Sequence, residues 1–298
     1  MKHVARFDSF LADTVNLNQS RLDDLDDRVR ATVGYLREDE AIGGLIRGQI
    51  PQGSWAHRTI IKPLPGDEFD ADVLLHMDNV YRWVREPGRY VDEVDRAFRR
   101  SGRYCDAVER KRRCVRIRYA NFCHIDIVPY VRRGLLGEKV IVNRAENRFE
   151  PTDPEAFTAW MRRQDGRSNG NLRKTIRLYK YLRDRNDAFT IPSIILTTLL
   201  GKQLHWYWDA PSSYPDLPTA FKILTDRLDG WLERCTSLPR IPDPSGSGAS
   251  FDHRWNDRSF RHFQGAIHTL RSRVNAAYDE KKQITSVLLW RRILGPGF

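Results

Sequence analysis

The sequence predicts an α+β protein in which a mixed sheet with flanking helices is followed by a helical lobe. Strand-like apolar runs at 69–77, 114–119 and 122–131 lie in the first half of the chain, whereas from Pro154 onward the apolar residues recur at helical spacing. With 298 residues, the chain is long enough for two modest domains. We place the boundary near residue 160, giving lobes over 1–160 and 161–298.

Helical spacing of apolar residues over 8–38 predicts a long amphipathic N-terminal helix, broken near 16–18. A short helix over 42–50 and the strand at 69–77 follow, and then a helix over 89–101. The runs at 114–119 and 122–131 predict a hairpin joined at 120–121. We interpret 144–153 as a connector and 238–250 as a loop, because the latter is rich in Pro, Gly and Ser. Further helices are predicted over 154–163, 168–185, 191–205, 217–234, 257–280 and 282–292.

Composition favours a globular protein, since 40% of residues are apolar and 30% are charged. No apolar run approaches the length of a membrane span, and the N-terminal residues lack the apolar stretch of a signal peptide. We therefore expect a cytoplasmic protein with no membrane contact, and a monomer. The formal charge of +11, concentrated partly over 96–118, suits a polyanion such as RNA, although a solvated face explains it as well.

Three aspartates are the candidate catalytic residues. Asp70 and Asp72 are two apart in a predicted strand, so their side chains share a face. A neighbouring strand could bring Asp126 opposite them. Three carboxylates at one point suit Mg²⁺, whose coordination substrate phosphates would complete. Each pattern alone would fit the wet face of a strand, but both strands are otherwise apolar, where a stray charge is costly.

Gly53 and Ser54 form a turn that precedes the first pair of acids. A glycine lets backbone N–H groups approach a phosphate closely, and the serine hydroxyl adds a donor. Together with the acids, this turn predicts phosphoryl or nucleotidyl transfer.

Gly53-Ser54, Thr59, the run Glu68-Phe69-Asp70-Ala71-Asp72 and the later Asp126 resemble the polymerase-β-type nucleotidyltransferase superfamily. The chain is more closely similar to the bacterial CD-NTases, the cGAS/DncV-like nucleotidyltransferases. Segments 241–244, 257–258 and 290–298 look like that family's closing segments. The resemblance implies a polymerase-β-like catalytic lobe, with the active site in the cleft between it and the helical lobe.

The resemblance also implies further site residues and a function. Lys180 and Ser193 match a lysine and a serine that hold the triphosphate, although a surface lysine and a helix-start serine explain them equally well. Asp70, Asp72 and Asp126 would hold two Mg²⁺ ions, with Mn²⁺ as a substitute. Nucleoside triphosphates (ATP, GTP or pyrimidine NTPs) would be joined into a cyclic di- or trinucleotide second messenger of CBASS antiphage defence, read by a separate effector protein.

One departure concerns the base. Ile194 stands where the animal enzyme has a base-stacking tyrosine, so stacking would have to come from elsewhere, with Tyr179, Tyr181 and Trp55 as candidates. Base identity, linkage, ring size and activating signal are left open. Two alternatives remain: a linear nucleotidyltransferase that makes 2′-5′ oligoadenylate or modifies RNA or protein, and a nucleic-acid-binding sensor with a vestigial site. RNA bound at 96–118 could also activate the enzyme.

Overall fold

The computed structural model describes residues 1–120, 122–186, 189–205 and 207–298. The predicted order of a sheet followed by helices is confirmed. The strands are β1 (Ile46–Gln52), β2 (Phe69–Met77), β3 (Val108–Arg110), β4 (Val115–Tyr119), β5 (Cys123–Arg133), β6 (Glu138–Asn143) and β7 (Arg148–Pro151). The helices are α1 (Val4–Phe10), α2 (Gln19–Glu38), α3 (Gly53–Ala56), α4 (Arg89–Arg99), α5 (Pro154–Arg167), α6 (Asn171–Asn186), α7 (Ser193–Lys202), α8 (Leu217–Glu233), α9 (Asp257–Asp279) and α10 (Gln283–Leu294).

The strands form one mixed sheet in the order β1-β2-β5-β4-β3, and β6 and β7 extend it from the far end of β5. β2 and β5 run parallel, while β1 pairs antiparallel with β2 and β4 pairs antiparallel with β5. The predicted hairpin is thus confirmed as β4 and β5, although Asn121 of its predicted turn lies outside the described residues. The long β5 is central, since it carries partners on both sides.

Two sequence-based predictions were wrong. Residues 42–50 do not form a helix but a 3-10 turn at Gly43–Leu45 followed by β1. Glycines at 43, 44 and 48 disfavour a helix, and Pro51 is tolerated because β1 lies at the edge of the sheet. Residues 144–153 are not only a connector, because β7 pairs with β6. β7 is short and polar, so it carries little of the apolar pattern by which strands are recognised.

The predicted break in the N-terminal helix is confirmed. α1 continues into a π-helical turn at Leu11–Val15, and α2 begins anew at Gln19. The Asn18 side chain caps α2 by accepting a hydrogen bond from the Arg21 N–H at 3.0 Å. The broken helix therefore supplies two separate pieces that can pack in different places.

Buried apolar side chains form two large clusters. One lies between α2, α4 and one face of the sheet, where Ala71, Val73, Ile125 and Ile127 are fully buried. The other fills the helical lobe and also includes residues of α1 and its π-helical turn. There the Phe7 ring packs edge-on against Trp290 and Phe298, at 4.9 Å between centroids in each pair. The first piece of the broken helix thus packs among the C-terminal helices, and the second on the sheet.

Among the described residues, no helix is both long enough and apolar enough to span a bilayer.

Candidate active site

The parallel pairing of β2 and β5 places the three aspartates on neighbouring strands of one face of the sheet. Its register aligns Asp72 with Asp126, and Asp70 with His124. Because alternate residues share a face, all four side chains lie on the same side of the sheet, opposite the buried Ala71 and Ile125. The prediction that a neighbouring strand carries Asp126 opposite the first pair is confirmed by this register.

Asp72 carries the clearest electrostatic sign of a cation site. Burial, reinforced by the negative charges of Asp70 and Asp126, raises its pKa to about 7. Protein cations therefore do not fully compensate the charge of Asp72, and a buried carboxylate in that position favours either a proton or a metal ion. Oxygen donors of this number and charge fit Mg²⁺.

Gly53 lies directly against Asp72. Its φ of +65° is in the left-handed region, and a Cβ built there would come within 2.2 Å of Asp72 Oδ2. Glycine is thus required twice, by the backbone conformation and by the space that the carboxylate occupies. The predicted turn is the single-turn helix α3, and it places the Gly-Ser backbone beside the acids.

A cleft of about 620 Å³ opens above this face. Ser54 and Asp70 line it from the sheet side, and Lys180 and Ser193 line it from the helical side. Three of the four predicted nucleotide-binding residues, Ser54, Lys180 and Ser193, are thus brought to one cavity of a size typical for small-molecule sites, and the fourth, Gly53, precedes Ser54. Asp72 and Asp126 do not line this cavity themselves, but each touches its surroundings: Asp72 lies against Gly53, and Asp126 is bonded to Arg116, which lines the cavity.

Lys180 is a buried cation, so the alternative of a surface lysine is wrong. Only 5% of it is exposed, and its Nζ donates to the Thr59 carbonyl at 3.0 Å. Burial lowers its pKa to about 8, and the negative charges of Asp70 and Asp72 oppose that shift. Thr59 follows the Gly-Ser helix, so this bond ties α6 to the loop that carries the turn.

Ser193 is the first residue of α7, as expected for a serine at a helix start. Its hydroxyl accepts a hydrogen bond from Arg183 Nη1 at 3.0 Å, and the same nitrogen donates to the Ile191 carbonyl at 3.1 Å. Arg183 also lines the cleft. This arginine, which the sequence did not single out, therefore holds the Ser193 hydroxyl in place, while its own charge is paired with Asp184 at 2.6 Å.

Arg116 was also missed as a site residue. Its guanidinium binds Asp126 through two hydrogen bonds, Nε to Oδ1 and Nη2 to Oδ2, both 2.8 Å long. The observed strand register places Asp126 opposite Arg116. A turn centred between residues 120 and 121 would instead have placed Ile125 opposite Arg116. A shift of one residue moves a side chain to the other face, so the predicted hairpin concealed this pair.

Two of the candidates for base stacking were wrong. Tyr179 is fully buried, with its hydroxyl bonded to Thr225 Oγ1 at 2.8 Å. Tyr181 is also buried and donates to the Leu294 carbonyl at 3.2 Å. Trp55 is half-buried, packs on the core beneath the sheet, and donates from Nε1 to Asp26 at 2.9 Å. Both tyrosines pack in the helical core, and neither lines the cleft.

The basic cluster at 96–118 is largely paired within the chain. Arg100 bonds both oxygens of Asp39, and Arg113 bonds both oxygens of Glu150. The other basic residues with a carboxylate partner are Arg96, Arg99, Arg110, Lys111, Arg112, Arg116 and Arg118. Much of the charge that suggested a polyanion is therefore already balanced.

Comparison with known proteins identifies the family. Residues 1–165 match the model of the Second Messenger Oligonucleotide or Dinucleotide Synthetase (SMODS) domain. The chain belongs to this family. The match covers β2, β5 and the Gly-Ser turn, and it confirms the prediction of a CD-NTase, a nucleotidyltransferase that makes a nucleotide second messenger.

Curated relatives and a solved structure agree with this assignment. The chain is 24% identical over 294 residues to a c-di-GMP synthase of Roseivirga ehrenbergii, covering 87% of this chain and 76% of the relative. It is 24% identical over 192 residues to a cyclic AMP-AMP-AMP synthase of an Acinetobacter species, covering 63% of this chain and 54% of that one. The CdnC structure from Escherichia coli MS115-1 with ATP superimposes with a TM-score of 0.76 at 19% identity, over 99% of this chain and 98% of that one. The predicted polymerase-β-like α+β fold is thereby confirmed.

Proposed function

We propose that this enzyme joins nucleoside triphosphates into a cyclic di- or trinucleotide, with release of pyrophosphate, as the signal of a CBASS antiphage system. One observation carries the proposal: the register of β2 and β5 places three aspartates on one face of the sheet beside a glycine turn, and the cleft over this face holds a buried lysine. The two curated relatives, which are named as synthases of a cyclic dinucleotide and of a cyclic trinucleotide, support a cyclic product.

Asp70, Asp72 and Asp126 are the proposed ligands of two Mg²⁺ ions, for which Mn²⁺ would substitute. When bound, such ions stabilise negative charge on the attacking and leaving oxygens of an in-line displacement. The residues fit this role, because Asp72 keeps uncompensated charge and the absent Cβ of Gly53 leaves its carboxylate room.

The remaining residues position the nucleotide. Lys180 offers a positive charge to the triphosphate, and the hydroxyls of Ser54 and Ser193 offer hydrogen bonds from opposite sides of the cleft. A ribose hydroxyl of one nucleotide attacks the α-phosphorus of another, the bond to the bridging oxygen breaks, and pyrophosphate leaves. Asp126 is the proposed acceptor of the hydroxyl proton. Positioning and charge neutralisation then supply most of the rate.

The proposal is tested by replacing Asp70 and Asp72 together with Asn and analysing products from mixed nucleoside triphosphates by mass spectrometry. We expect no product and an unchanged circular dichroism spectrum. Asp78→Asn is the matched control, because Asp78 follows the same strand but pairs with Arg47. A double variant that still makes product would end the assignment of the metal site.

Phosphatase treatment separates the cyclic proposal from the linear alternative. A cyclic product has no terminal phosphate and resists the phosphatase, whereas a linear oligonucleotide loses its terminal phosphates. A wild-type protein that makes no product but binds RNA would favour the vestigial sensor.

The lobe boundary near residue 160, the monomeric state, the cytoplasmic location, the separate effector and an RNA activator remain predictions. For RNA, the ion pairs of the cluster at 96–118 leave less free charge than the sequence suggested. The activator is tested by removing RNA from the enzyme with nuclease and high salt and measuring product formation before and after RNA is added back.

A further inference from the structure

Asp126 and Arg116 form a mostly buried ion pair on the sheet side of the site. Both carboxylate oxygens of Asp126 are bonded to the guanidinium, and the side chains are only 12% and 23% exposed, respectively. A two-point arginine–carboxylate bond of this kind is among the strongest polar contacts in proteins. The oxygens that a metal ion would use are thus already engaged by a cation.

Arg116 nevertheless has access to the cleft. It lines the cavity together with Asp70 and Lys180. Among the described residues, its side-chain hydrogen bonds go to Asp126, whereas its strand neighbour Arg118, which also lines the cleft, donates to Glu109 at 2.9 Å. If Asp126 is taken by another partner, Arg116 can turn toward the cleft without breaking any further hydrogen bond.

We propose that Arg116 is a positioning residue that occupies Asp126 in the metal-free enzyme and turns toward a nucleotide phosphate when Asp126 binds metal. This inference rests on the proposed function. A guanidinium and a divalent cation on the same carboxylate repel each other, so one weakens the other's binding. A triphosphate in the cleft brings the negative charge that a displaced Arg116 needs.

The exchange makes metal and nucleotide binding mutually supportive. Metal binding frees a cation for the phosphates, and the phosphates stabilise Arg116 away from Asp126. By linkage, each ligand raises the affinity for the other. A guanidinium that merely braced Asp126 would help both ligands independently, and its loss would weaken both.

The test is therefore whether loss of Arg116 changes the affinities for Mn²⁺ and for triphosphate in opposite directions. In Arg116→Ala without nucleotide, we expect Mn²⁺ to bind about five- to tenfold more tightly, because a competing cation is gone. Free Mn²⁺ is measured by its electron paramagnetic resonance signal. With Mn²⁺ saturating, non-hydrolysable triphosphate analogues of all four bases, measured by calorimetry, should bind about tenfold more weakly. Weaker Mn²⁺ binding in this variant would overturn the proposal, as would unchanged nucleotide binding.

Arg118→Ala is the matched control. It removes one positive charge from the same strand and the same cleft but leaves the bond between Arg116 and Asp126 intact. We expect its Mn²⁺ affinity to change by less than about twofold. Equal tightening in both variants would show a general charge effect and would refute a specific role for Arg116.

Arg116→Gln guards against misfolding of the alanine variant, since it keeps hydrogen bonds without the charge. It should also bind Mn²⁺ more tightly than the wild type, and metal should raise its melting temperature by more than it raises that of the wild type.

A different result would contradict the proposed function itself. If the wild type and Asp72→Asn bind Mn²⁺ equally well, the aspartates are not the metal site. If the wild type binds Mn²⁺ and Asp72→Asn does not, but Arg116→Gln binds Mn²⁺ no more tightly than the wild type, then the inference about Arg116 fails and the proposed function stands.

Discussion

Buried groups of opposite charge lie on the two sides of the cleft, here called the sheet wall and the helical wall. Burial shifts the pKa of each group toward its neutral form. On the sheet wall, burial and neighbouring acids raise the pKa of Asp72 to about 7. On the helical wall, burial lowers the pKa of Lys180 to about 8. Each group is held where its ordinary charge is disfavoured, so each gains from a ligand of opposite charge. A metal ion suits the first wall and a triphosphate the second.

The walls differ in how they are built. The acids depend on strand register and on the missing Cβ of Gly53, so their geometry is rigid. Lys180 and Ser193 depend on hydrogen bonds to Thr59 and from Arg183. Changes on the sheet wall should therefore abolish catalysis, whereas changes on the helical wall should weaken nucleotide binding in a graded way.

The largest effect is expected for Gly53→Ala. Its Cβ would meet Asp72 Oδ2 at 2.2 Å in a backbone conformation that alanine rarely adopts. We expect turnover to fall by roughly 100-fold or more and Mn²⁺ binding to weaken with it, since misplacing a catalytic group by about 1 Å has costs of that order. Gly44→Ala is the control, because no heavy atom lies near its Cβ position. Normal turnover in Gly53→Ala would show that the contact with Asp72 is irrelevant.

A smaller effect is expected for Lys180→Met, which keeps the length and apolar stem but removes the charge. The KM for nucleoside triphosphate should rise about tenfold, while Mn²⁺ binding to the free enzyme stays within roughly threefold, because loss of one charge–phosphate contact is of that order. Lys202→Met serves as a comparison, since Lys202 also donates to a carbonyl, that of Pro242. A KM that matches the wild type would remove Lys180 from the nucleotide site.

The pH dependence should show both walls separately. Protons compete with metal for Asp72, so Mn²⁺ affinity should rise as pH increases through about 7. Lys180 loses its proton as pH increases through about 8, so triphosphate affinity should fall there. Titrations of each ligand between pH 6 and 9 check this, with changes of up to about tenfold per pH unit. The fall in triphosphate affinity should vanish in Lys180→Met; its persistence would assign it to another group.

The smallest effect concerns stability. Since the pKa of Asp72 is raised in the folded state, its favourable contribution is complete below its ordinary pKa and is lost as pH rises through about 7. Asp72→Asn should therefore raise the melting temperature at pH 8 in EDTA, by roughly 2–4 °C. At pH 5 the gain should be smaller. A lower melting temperature at pH 8 would mean that the charged carboxylate is stabilised by partners other than a bound metal.

Much of this protein could be predicted from its residue pattern. Period-two apolar runs fixed β2 and β5, and helical spacing fixed α5 to α10, because both patterns report a face buried in a core. The failures at 42–50 and 144–153 are edge strands, whose polar or glycine-rich residues follow no core face. Asp70, Asp72 and Asp126 could be proposed as one site because acids within apolar strands require a partner.

The sequence by itself determined that three acids and a glycine turn would be available, since their spacing is a local property of two strands and a loop. Only the tertiary structure decided what holds them. Arg116 meets Asp126 because of a register that differs by one residue from the predicted hairpin, and Lys180 reaches Thr59 because α6 packs against the loop that follows the Gly-Ser turn. Contacts between segments that are far apart in sequence depend on how buried faces pack together, and no local sequence pattern specifies that packing.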